Sequence, residues 1–445
     1  MTRQKTRERG MIVEGSKRHP EVWQVPFFTI WTGQAFSLVG SHLVQFALVW
    51  WLTETMGSAT VLATATLVAI LPGVILGPFA GTLVDRWNRR RVMIVADGFV
   101  ALVTAWLAYL FWTGSMSVWH VYAAMLARSM GGAFHWPAMQ ASTSLMVPKV
   151  HLSRVAGLNQ TMQGALNVVA PPLGAILLSL LPLHAIMGID LGTAAVAIVS
   201  LFLVAIPQPE GTVAAGAARK ASVWDDFRVG LRYVRGWPGL MAILILAMII
   251  NFVVNPAFSL MPLLVVEHLG GGALELGWLE SGWGIGMLLG GLILSVWGGF
   301  RRRVYTSLVG LVLEGVAILI IGLTPGNGFL LALGAISVAG FMNPLINGPF
   351  MAILQATVKP EMQGRVFTLV SSLSSAMMPL SLAIAGPVAD LIGVRQWYAI
   401  GGAIFALLGT VSFFVPVIVN IEKNGYSSQE ERPSPAAVEI PLAGD

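Results

Sequence analysis

The chain has 445 residues, of which 56% are hydrophobic and only 11% are charged. Because a soluble protein has about 25% charged residues, this composition predicts a membrane protein and argues against an ordinary soluble domain. The absence of cysteine excludes disulfides and a cysteine nucleophile, and we attribute the net charge of +5 to loops beside anionic lipid rather than to nucleic-acid binding.

Long apolar runs follow one another along the chain. A helix of about 20 apolar residues crosses the hydrocarbon layer of a bilayer. The sequence therefore predicts an all-α integral membrane protein with twelve transmembrane helices. The predicted spans lie near residues 25–53, 59–83, 92–113, 117–146, 155–182, 184–206, 238–265, 273–297, 304–324, 326–354, 366–392 and 397–420.

Basic residues occupy alternate gaps between these spans and both terminal segments. Of the 26 Lys and Arg residues, only Arg128 and Arg395 depart from this pattern. Arg128 lies inside a span, and Arg395 lies in a gap that has no other basic residue. Because short basic loops remain on the cytoplasmic side, we expect a multi-pass protein of the inner (plasma) membrane with both termini cytoplasmic.

The spans form two groups of six. A polar segment separates the groups, and its second part alternates charged with aromatic and aliphatic residues, as in a helix lying on the membrane surface. The expected domains are a basic cytoplasmic tail at 1–22, an N-terminal six-helix bundle at 23–206, a cytoplasmic linker with an amphipathic helix at 207–237, a C-terminal six-helix bundle at 238–421 and a disordered cytoplasmic tail at 422–445.

The two groups also share sequence features at a constant offset of 212 positions. A parallel repeat of six plus six helices, with a substrate site between the halves, is typical of secondary transporters. A duplicated membrane scaffold without transport remains the alternative. The recurring features are Pro137 with Pro349, Pro148 with Pro360, and the arginines at 89–91 with those at 301–303.

The loop after the second span reads GTLVDRWNRRR at residues 81–91. It resembles the loop motif G-x-x-x-D-R-x-G-R-R of the major facilitator superfamily, with Asn88 in place of the second glycine. Asn tolerates a left-handed backbone, so a tight turn is still expected. The resemblance implies a latch that joins the cytoplasmic ends of the two halves in one access state, whereas a loop that is basic only for topology is the simpler alternative. The predicted latch residues are Gly81, Asp85, Arg86, Arg89, Arg90 and Asp97.

Longer segments resemble the macrolide-efflux branch of the same superfamily. They are IWTGQAFSLVGS at 30–41, LVDRWNRRRVMIVAD at 83–97, ARSMGGAFHWPAMQASTSLMVP at 127–148, IMGID at 186–190 and, more loosely, VKPEMQGRVFTL at 358–369. The resemblance implies the major facilitator fold and export of drugs by proton antiport.

Arg128 lies within the fourth predicted span. A charge at mid-membrane costs at least about 2.5–3.5 kcal/mol, so Arg128 should face the protein interior and have a partner. The run RSMGG at 128–132 resembles the fourth-helix arginine motif R-x-x-q-G of proton-coupled antiporters, with Gly131 where a polar residue is usual. Two interpretations remain open: Arg128 favours the ionised form of a nearby acid during proton coupling, or it only joins helices through carbonyl oxygens.

Three acids lie within spans and are candidates to carry the proton together with Arg128: Asp190, Glu280 and Glu314. The family arrangement implies that Asp190 and Glu314 are peripheral and that Glu280 has better access to water. Each acid could instead be a satisfied interior or interface residue.

Polar residues follow helical spacing on the four spans that the family places around the cavity, which predicts a wet and mostly apolar pocket suited to bulky amphiphiles. The same stripes could instead be hydrogen bonds between helices. The predicted cavity residues are Trp31, Gln34, Ser37, Ser41 and Gln45, then Trp136, Gln140 and Ser144, then Asn251 and Asn255, and finally Asn343 and Asn347.

The fifth span contains Gly164 and the run Pro171-Pro172-Leu173-Gly174. Proline bends a helix and glycine lets helices approach closely, so this run is either a hinge element or a packing device.

No P-loop or metal-ligand spacing is present, so we expect neither an enzyme nor a cofactor or bound metal. The function predicted is a monomeric secondary active transporter that exports amphiphilic, macrolide-like drugs in exchange for protons by alternating access. Its partners are the small substrate, protons and the lipid bilayer, without nucleic acid. An uptake symporter or facilitator of the same fold, or a membrane receptor or assembly factor that does not transport, are the alternatives.

Overall fold

The computed structural model describes residues 23–208 and 223–422. The predicted basic tail at 1–22, residues 209–222 of the predicted linker and residues 423–445 of the predicted C-terminal tail lie outside the described residues. Within the described part, regular structure consists of helices.

Twelve long helices and two short ones form the described structure. The long ones match the predicted spans in order and confirm the all-α architecture. In chain order the helices are α1 (Gln24–Met56), α2 (Ala59–Val84), α3 (Arg89–Trp112), α4 (Val118–Met146), α5 (Leu152–Leu180), α6 (Leu183–Leu203), α7 (Val223–Arg235), α8 (Pro238–Glu267), α9 (Ala273–Trp297), α10 (Arg303–Leu323), α11 (Phe329–Thr357), α12 (Pro360–Ile392), α13 (Val394–Ser412) and α14 (Pro416–Val419).

Ten of the long helices are apolar enough by length and hydropathy alone to cross a membrane. The remaining two, α4 and α13, carry polar residues that lower their mean hydropathy. Arg128 and His135 lie inside α4, and Arg395 lies in the first turn of α13. With 29 and 19 residues, α4 and α13 nevertheless come close to or exceed the length of about 20 residues that a span needs. Both pack among the other spans, α4 against α2 and α3 and α13 against α10 and α8.

The turn between α1 and α2 shows how local sequence ends one helix and starts the next. Gly57 adopts a left-handed backbone with φ of 54° and closes α1 through its amide, which donates to Thr53. Ser58 then caps α2, because its hydroxyl accepts a hydrogen bond from the amide of Val61 at 3.4 Å. Only two residues therefore separate two antiparallel helices.

Helices pack mainly with partners from their own half. In the first half α1 packs on α5 and α6, α2 on α4, and α3 on both α4 and α6. In the second half α10 packs on α11 and α13, α9 on α11, and α8 on α12. The main contacts between halves are α5 with α9 and α2 with α12. Because these four are the second and fifth long helices of each half, the interface follows the symmetry of the repeat.

Glycine on α9 allows α5 to approach closely. A Cβ added to Gly277 would lie 3.0 Å from the Cα of Pro172 and 3.1 Å from the carbonyl oxygen of Pro171. One turn further, the Ser281 hydroxyl donates to the carbonyl oxygen of Val168 at 2.6 Å. The proline run of the fifth span therefore lies in the interface between the halves.

Candidate functional site

Arg128 of α4 and Asp190 of α6 form an ion pair inside the first half. Arg128 Nη1 lies 2.9 Å from Asp190 Oδ2, and the side chains are only 12% and 2% exposed. Thr104 of α3 accepts a hydrogen bond from Arg128 and donates one to Asp190 Oδ2 at 2.9 Å. From α1, the Ser41 hydroxyl donates to Asp190 Oδ1 at 3.4 Å. Four helices thus position one buried cation and one buried anion.

This arrangement differs from the expectation that Asp190 is peripheral. The sixth helix packs on both α1 and α3, and the Thr104 hydroxyl of α3 donates to the Asp190 carboxylate, which is buried among these helices. Removing one member of such a pair leaves an uncompensated charge and typically costs about 3–5 kcal/mol, so the two side chains depend on each other.

A second carboxylate, Asp97 of α3, lies close to this pair. The Gln34 amide donates to Asp97 Oδ2 at 2.9 Å, and His135 Nε2 lies 3.2 Å from Asp97 Oδ1. His135 follows Arg128 by seven residues, so both are on one face of α4. Asp97 was predicted to join the loop latch, but it lies more than two turns into α3, and its contacts are in the interior of the bundle.

Two adjoining cavities expose these groups. The first, of about 370 Å³, is lined by Gln34, Ser37, Ser41, His42, Gln45, Asp97, Arg128, His135 and Asp190, together with apolar residues. The second, of about 420 Å³, lies between the halves and is lined by His42, Gln45, Asn255, Phe258, Glu280 and Met378 among others. Since His42 and Gln45 line both cavities, the buried ion pair and Glu280 face a shared internal space.

Glu314, the third candidate acid, lies elsewhere. It is 2% exposed on α10, the helix that packs against α11 and α13, and it does not line either of these two cavities. The structure therefore brings Arg128, Asp190 and Glu280 around one internal space and leaves Glu314 outside it.

The remaining predicted cavity residues have varied positions. Trp31 donates to Asn159 of α5 at 2.8 Å, and Trp136 is 51% exposed. Gln140 and Ser144 continue the exposed face of α4. On α8 the Asn255 amide donates to Asn251 at 3.3 Å, and on α11 the Asn347 amide donates to Asn343 at 3.3 Å. Each asparagine pair thus forms a side-chain hydrogen bond along its own helix.

The predicted latch residues make contacts within the first half. Asp85 is 69% exposed and lies 3.6 Å from Arg89, which also donates to the carbonyl oxygen of Ala141. Arg90 donates to the carbonyl oxygens of Leu201 and Phe202 at the end of α6. Gly81 would have open space around an added Cβ. In this conformation the loop therefore stabilises its own bundle.

The opposite end of the molecule contains a direct contact between halves. Asp390, in the last turn of α12, accepts hydrogen bonds from the amides of Ala59 and Thr60 at 2.7 and 3.0 Å and from the Ser58 hydroxyl at 3.0 Å. A carboxylate at a helix N-terminus is favoured by both the free amides and the helix dipole. Asp390 thus caps α2 from the other half.

Comparison with known proteins identifies the family. The sequence profile of the Major Facilitator Superfamily matches residues 30–382. The chain belongs to the Major Facilitator Superfamily. It is 34% identical over 401 residues to macrolide efflux protein A of Streptococcus pyogenes, covering 90% of this chain and 98% of that protein. It is 29% identical to the multidrug efflux pump Tap of Mycolicibacterium fortuitum, covering 85% and 92% of the two chains.

The fold agrees with this assignment. A bacterial homologue of the iron transporter ferroportin, solved in an inward-facing state, superposes with a TM-score of 0.66 at 14% identity, covering 90% of this chain and 99% of that one. The predicted major facilitator fold and the macrolide-efflux resemblance are confirmed. This superfamily member is a multi-pass membrane transporter and not an enzyme.

Two residues of the internal network of this major facilitator protein were not predicted from the sequence. Thr104 bridges the ion pair, and His42 lines both cavities. His135 of α4 was the histidine expected to face the cavity, and it lines the first cavity beside Asp97. No signal in the sequence marks Thr104, since a single threonine in an apolar span is common.

Proposed function

We propose that this protein exports amphiphilic drugs, including macrolide-like antibiotics, in exchange for protons by alternating access. It acts as a monomer in the plasma membrane with both termini cytoplasmic. The substrate class is supported by the relationship over nearly the whole chain to macrolide efflux protein A and to the multidrug efflux pump Tap. The basic gaps between spans support the orientation.

The observation that carries the proton coupling is the Arg128–Asp190 pair beside the cavities. While the pair is intact, the Arg128 guanidinium and the Asp190 carboxylate attract each other across 2.9 Å. Protonation of Asp190 cancels that attraction and leaves Arg128 as an unpaired buried cation, which favours a rearrangement of α3, α4 and α6. A buried pair that holds four helices through side-chain contacts is therefore suited to convert proton uptake into a change of packing.

The internal space suits an amphiphile. Polar groups such as Gln45, Asn255 and Glu280 alternate with Phe46, Phe258 and Met378 around the second cavity. A mostly apolar pocket with a few polar groups binds a large molecule by burial of its apolar surface and orients it by a small number of hydrogen bonds.

The contacts between halves support an inward-open state. Asp390 joins α12 to α2 at the end where α2 begins, and Gly277 packs on Pro172 toward the same end. At the opposite end Asp85, Arg89 and Arg90 contact only the first half in the described residues. With both termini inside, the end joined by Asp390 is extracellular.

Flux of a labelled macrolide in inside-out membrane vesicles tests this proposal. Exporter activity by antiport predicts uptake into the vesicle that rises when the lumen is more acidic than the medium and that a protonophore abolishes. The Asp190→Asn variant should lose this dependence, while Glu361→Gln, in the first turn of α12, should keep it. Gradient-driven loss of drug from the vesicles would identify an uptake symporter, and absence of flux would refute transport of this substrate.

A further inference from the structure

A large apolar groove lies between α3 and α4, outside the cavities of the proposed transport path. Its volume is about 580 Å³. Two of its residues, Ala96 and Gly131, also line the cavity of the ion pair, so the groove occupies the opposite side of the α3–α4 contact. The groove is lined by Trp87, Asn88, Arg91, Val92, Val95, Ala96, Phe99, Met130, Gly131 and Phe134.

The groove has a polar end and an apolar body. Arg91 and Asn88 lie where α3 begins, and Val95 and Phe99 follow at intervals of four residues, with Val95 69% and Phe99 41% exposed. Eight residues from Arg91 to Phe99 span about 12 Å at 1.5 Å per residue. One leaflet contributes about 15 Å of hydrocarbon, so an acyl chain in the groove would remain within a single leaflet.

Arg91 differs from the two arginines before it. Arg89 and Arg90 donate to carbonyl oxygens of α4 and α6. The backbone amide of Arg91 donates to Asn88 Oδ1 at 3.1 Å. Across residues 23–208 and 223–422 the Arg91 guanidinium, which belongs to an exposed residue, forms no hydrogen bond or ion pair. A membrane-facing groove thus has one available cation at its polar end and no anion among its lining residues.

Trp87 places the polar end of the groove at the level of the lipid headgroups. It is 50% exposed and stacks on Phe134, with ring centroids 6.3 Å apart. Tryptophan prefers the interface between hydrocarbon and headgroups because its ring is amphipathic. An arginine beside it is within reach of phosphate, which guanidinium binds through two parallel hydrogen bonds.

We propose that the groove between α3 and α4 is a binding site for one anionic phospholipid of the surrounding leaflet. The phosphate binds the Arg91 guanidinium, and one acyl chain packs along Val95, Phe99 and Met130. A free phosphate would leave the apolar body of the groove unfilled, and a zwitterionic lipid would bring its own cation close to Arg91. This site is independent of the proposed drug transport.

Native mass spectrometry of the purified full-length protein tests the site, with dioleoylphosphatidylglycerol and dioleoylphosphatidylcholine as probes. The wild-type protein should retain one phosphatidylglycerol in preference to phosphatidylcholine. Arg91→Gln should weaken this binding about tenfold, the usual effect of losing a hydrogen bond to a charged group. Val95→Trp should weaken it similarly by filling the groove.

Two matched variants control for charge and bulk. Arg303→Gln removes the repeat-equivalent arginine, whose Nη1 donates to the Ala352 carbonyl oxygen at 3.5 Å, and Val296→Trp adds the same ring at a 90% exposed position of α9. Both should retain phosphatidylglycerol as the wild type does. Circular dichroism melts verify that all variants are folded.

Three outcomes would overturn the proposal. They are equal retention of the two lipids by the wild type, unchanged phosphatidylglycerol binding in Arg91→Gln or Val95→Trp, and displacement of the lipid by inorganic phosphate at equal concentration. The last result would show that the site recognises phosphate without the acyl chain.

Discussion

Arg128 and Asp190 lie 2.9 Å apart between α4 and α6, and both side chains are nearly inaccessible to solvent. A membrane protein retains such a pair only when each charge compensates the other. The pair is therefore a structural element as well as the proposed centre of proton coupling, and the two roles can be measured separately.

A double-mutant cycle tests the structural role. Arg128→Gln should lower the free energy of unfolding by about 3–5 kcal/mol, because Asp190 remains as an uncompensated charge. Arg128→Gln combined with Asp190→Asn should be less destabilised than the sum of the single changes. Thermal unfolding of the purified protein measures this. Arg395→Gln, which removes a single donor to the Gly322 carbonyl oxygen, is the control for loss of an arginine. Additive effects would show that the pair is energetically unimportant.

Replacing the three acids one at a time tests which of them carries the proton. Asp190→Asn and Glu280→Gln should reduce gradient-driven drug accumulation in inside-out vesicles to the level without a gradient, because both acids line the shared internal space. Glu314→Gln should retain the gradient dependence, since Glu314 does not line that space. Coupling lost in Glu314→Gln and kept in the other two would reverse the assignment.

Substitutions that widen the cavity should change drug preference. Asn255→Ala and Phe258→Ala remove a polar group and bulk from the lining of the second cavity, and a change of this size in a pocket alters discrimination between related ligands by about tenfold. Resistance profiles across macrolides of different size provide the measurement. Trp119→Ala, at a 77% exposed position in the first turn of α4, should leave the profile unchanged. Equal profiles for all three variants would place the drug site elsewhere.

The Asp390 contact should control access from the outside. Because the chain has no cysteine, Thr66→Cys introduces a single thiol at the second cavity. Adding Asp390→Ala should raise its labelling by a membrane-impermeant maleimide about tenfold or more, since hydrogen bonds to a charged group contribute about 1.5–3 kcal/mol each. Glu267→Gln, which removes an exposed acid at the end of α8, should not raise it. Unchanged labelling in Asp390→Ala would show that this contact does not close the outer end.

Close packing of α9 on α5 gives a prediction about stability. Gly277→Ala should destabilise the protein by about 1–3 kcal/mol, because the new methyl group would meet the Pro172 backbone at 3.0 Å. Gly291→Ala on the same helix has open space and should be neutral or slightly stabilising. Thermal unfolding distinguishes the two. Equal melting temperatures would show that the interface between the halves accommodates the added methyl group without loss of stability.

The order and type of the helices could be predicted because a run of about 20 apolar residues forms a transmembrane helix in a bilayer. The loop motif and the arginine of α4 also identified the family. The side-chain contacts of individual residues were harder to predict. Asp190 was expected to be peripheral because helix order gives no information on the rotation that Thr104 and the α3–α6 contact impose. Asp97 was grouped with the loop because it is near it in sequence, although α3 directs it toward Gln34 and His135.

The roles of the cavity and latch residues stay predictions. Spacing on a helix identifies a polar face, but the same asparagines hydrogen-bond along their own helices, as Asn255 does with Asn251. Sequence pattern alone does not distinguish such hydrogen bonds within a helix from drug contacts, because both place amides at intervals of four residues.

The cap at the start of α2 has a counterpart at the other end of the same helix. Asp390 ends α12 and reaches the start of α2, while Asp85 ends α2 and is 69% exposed. Because α2 and α12 form one interface, the proposed alternating access would rock the halves about it and bring Asp85 toward the first turn of α12 as Asp390 withdraws. Asp390 and Asp85, at opposite ends of the α2–α12 pair, would then contact the facing helix in alternation, so that each contact forms only when the other is broken.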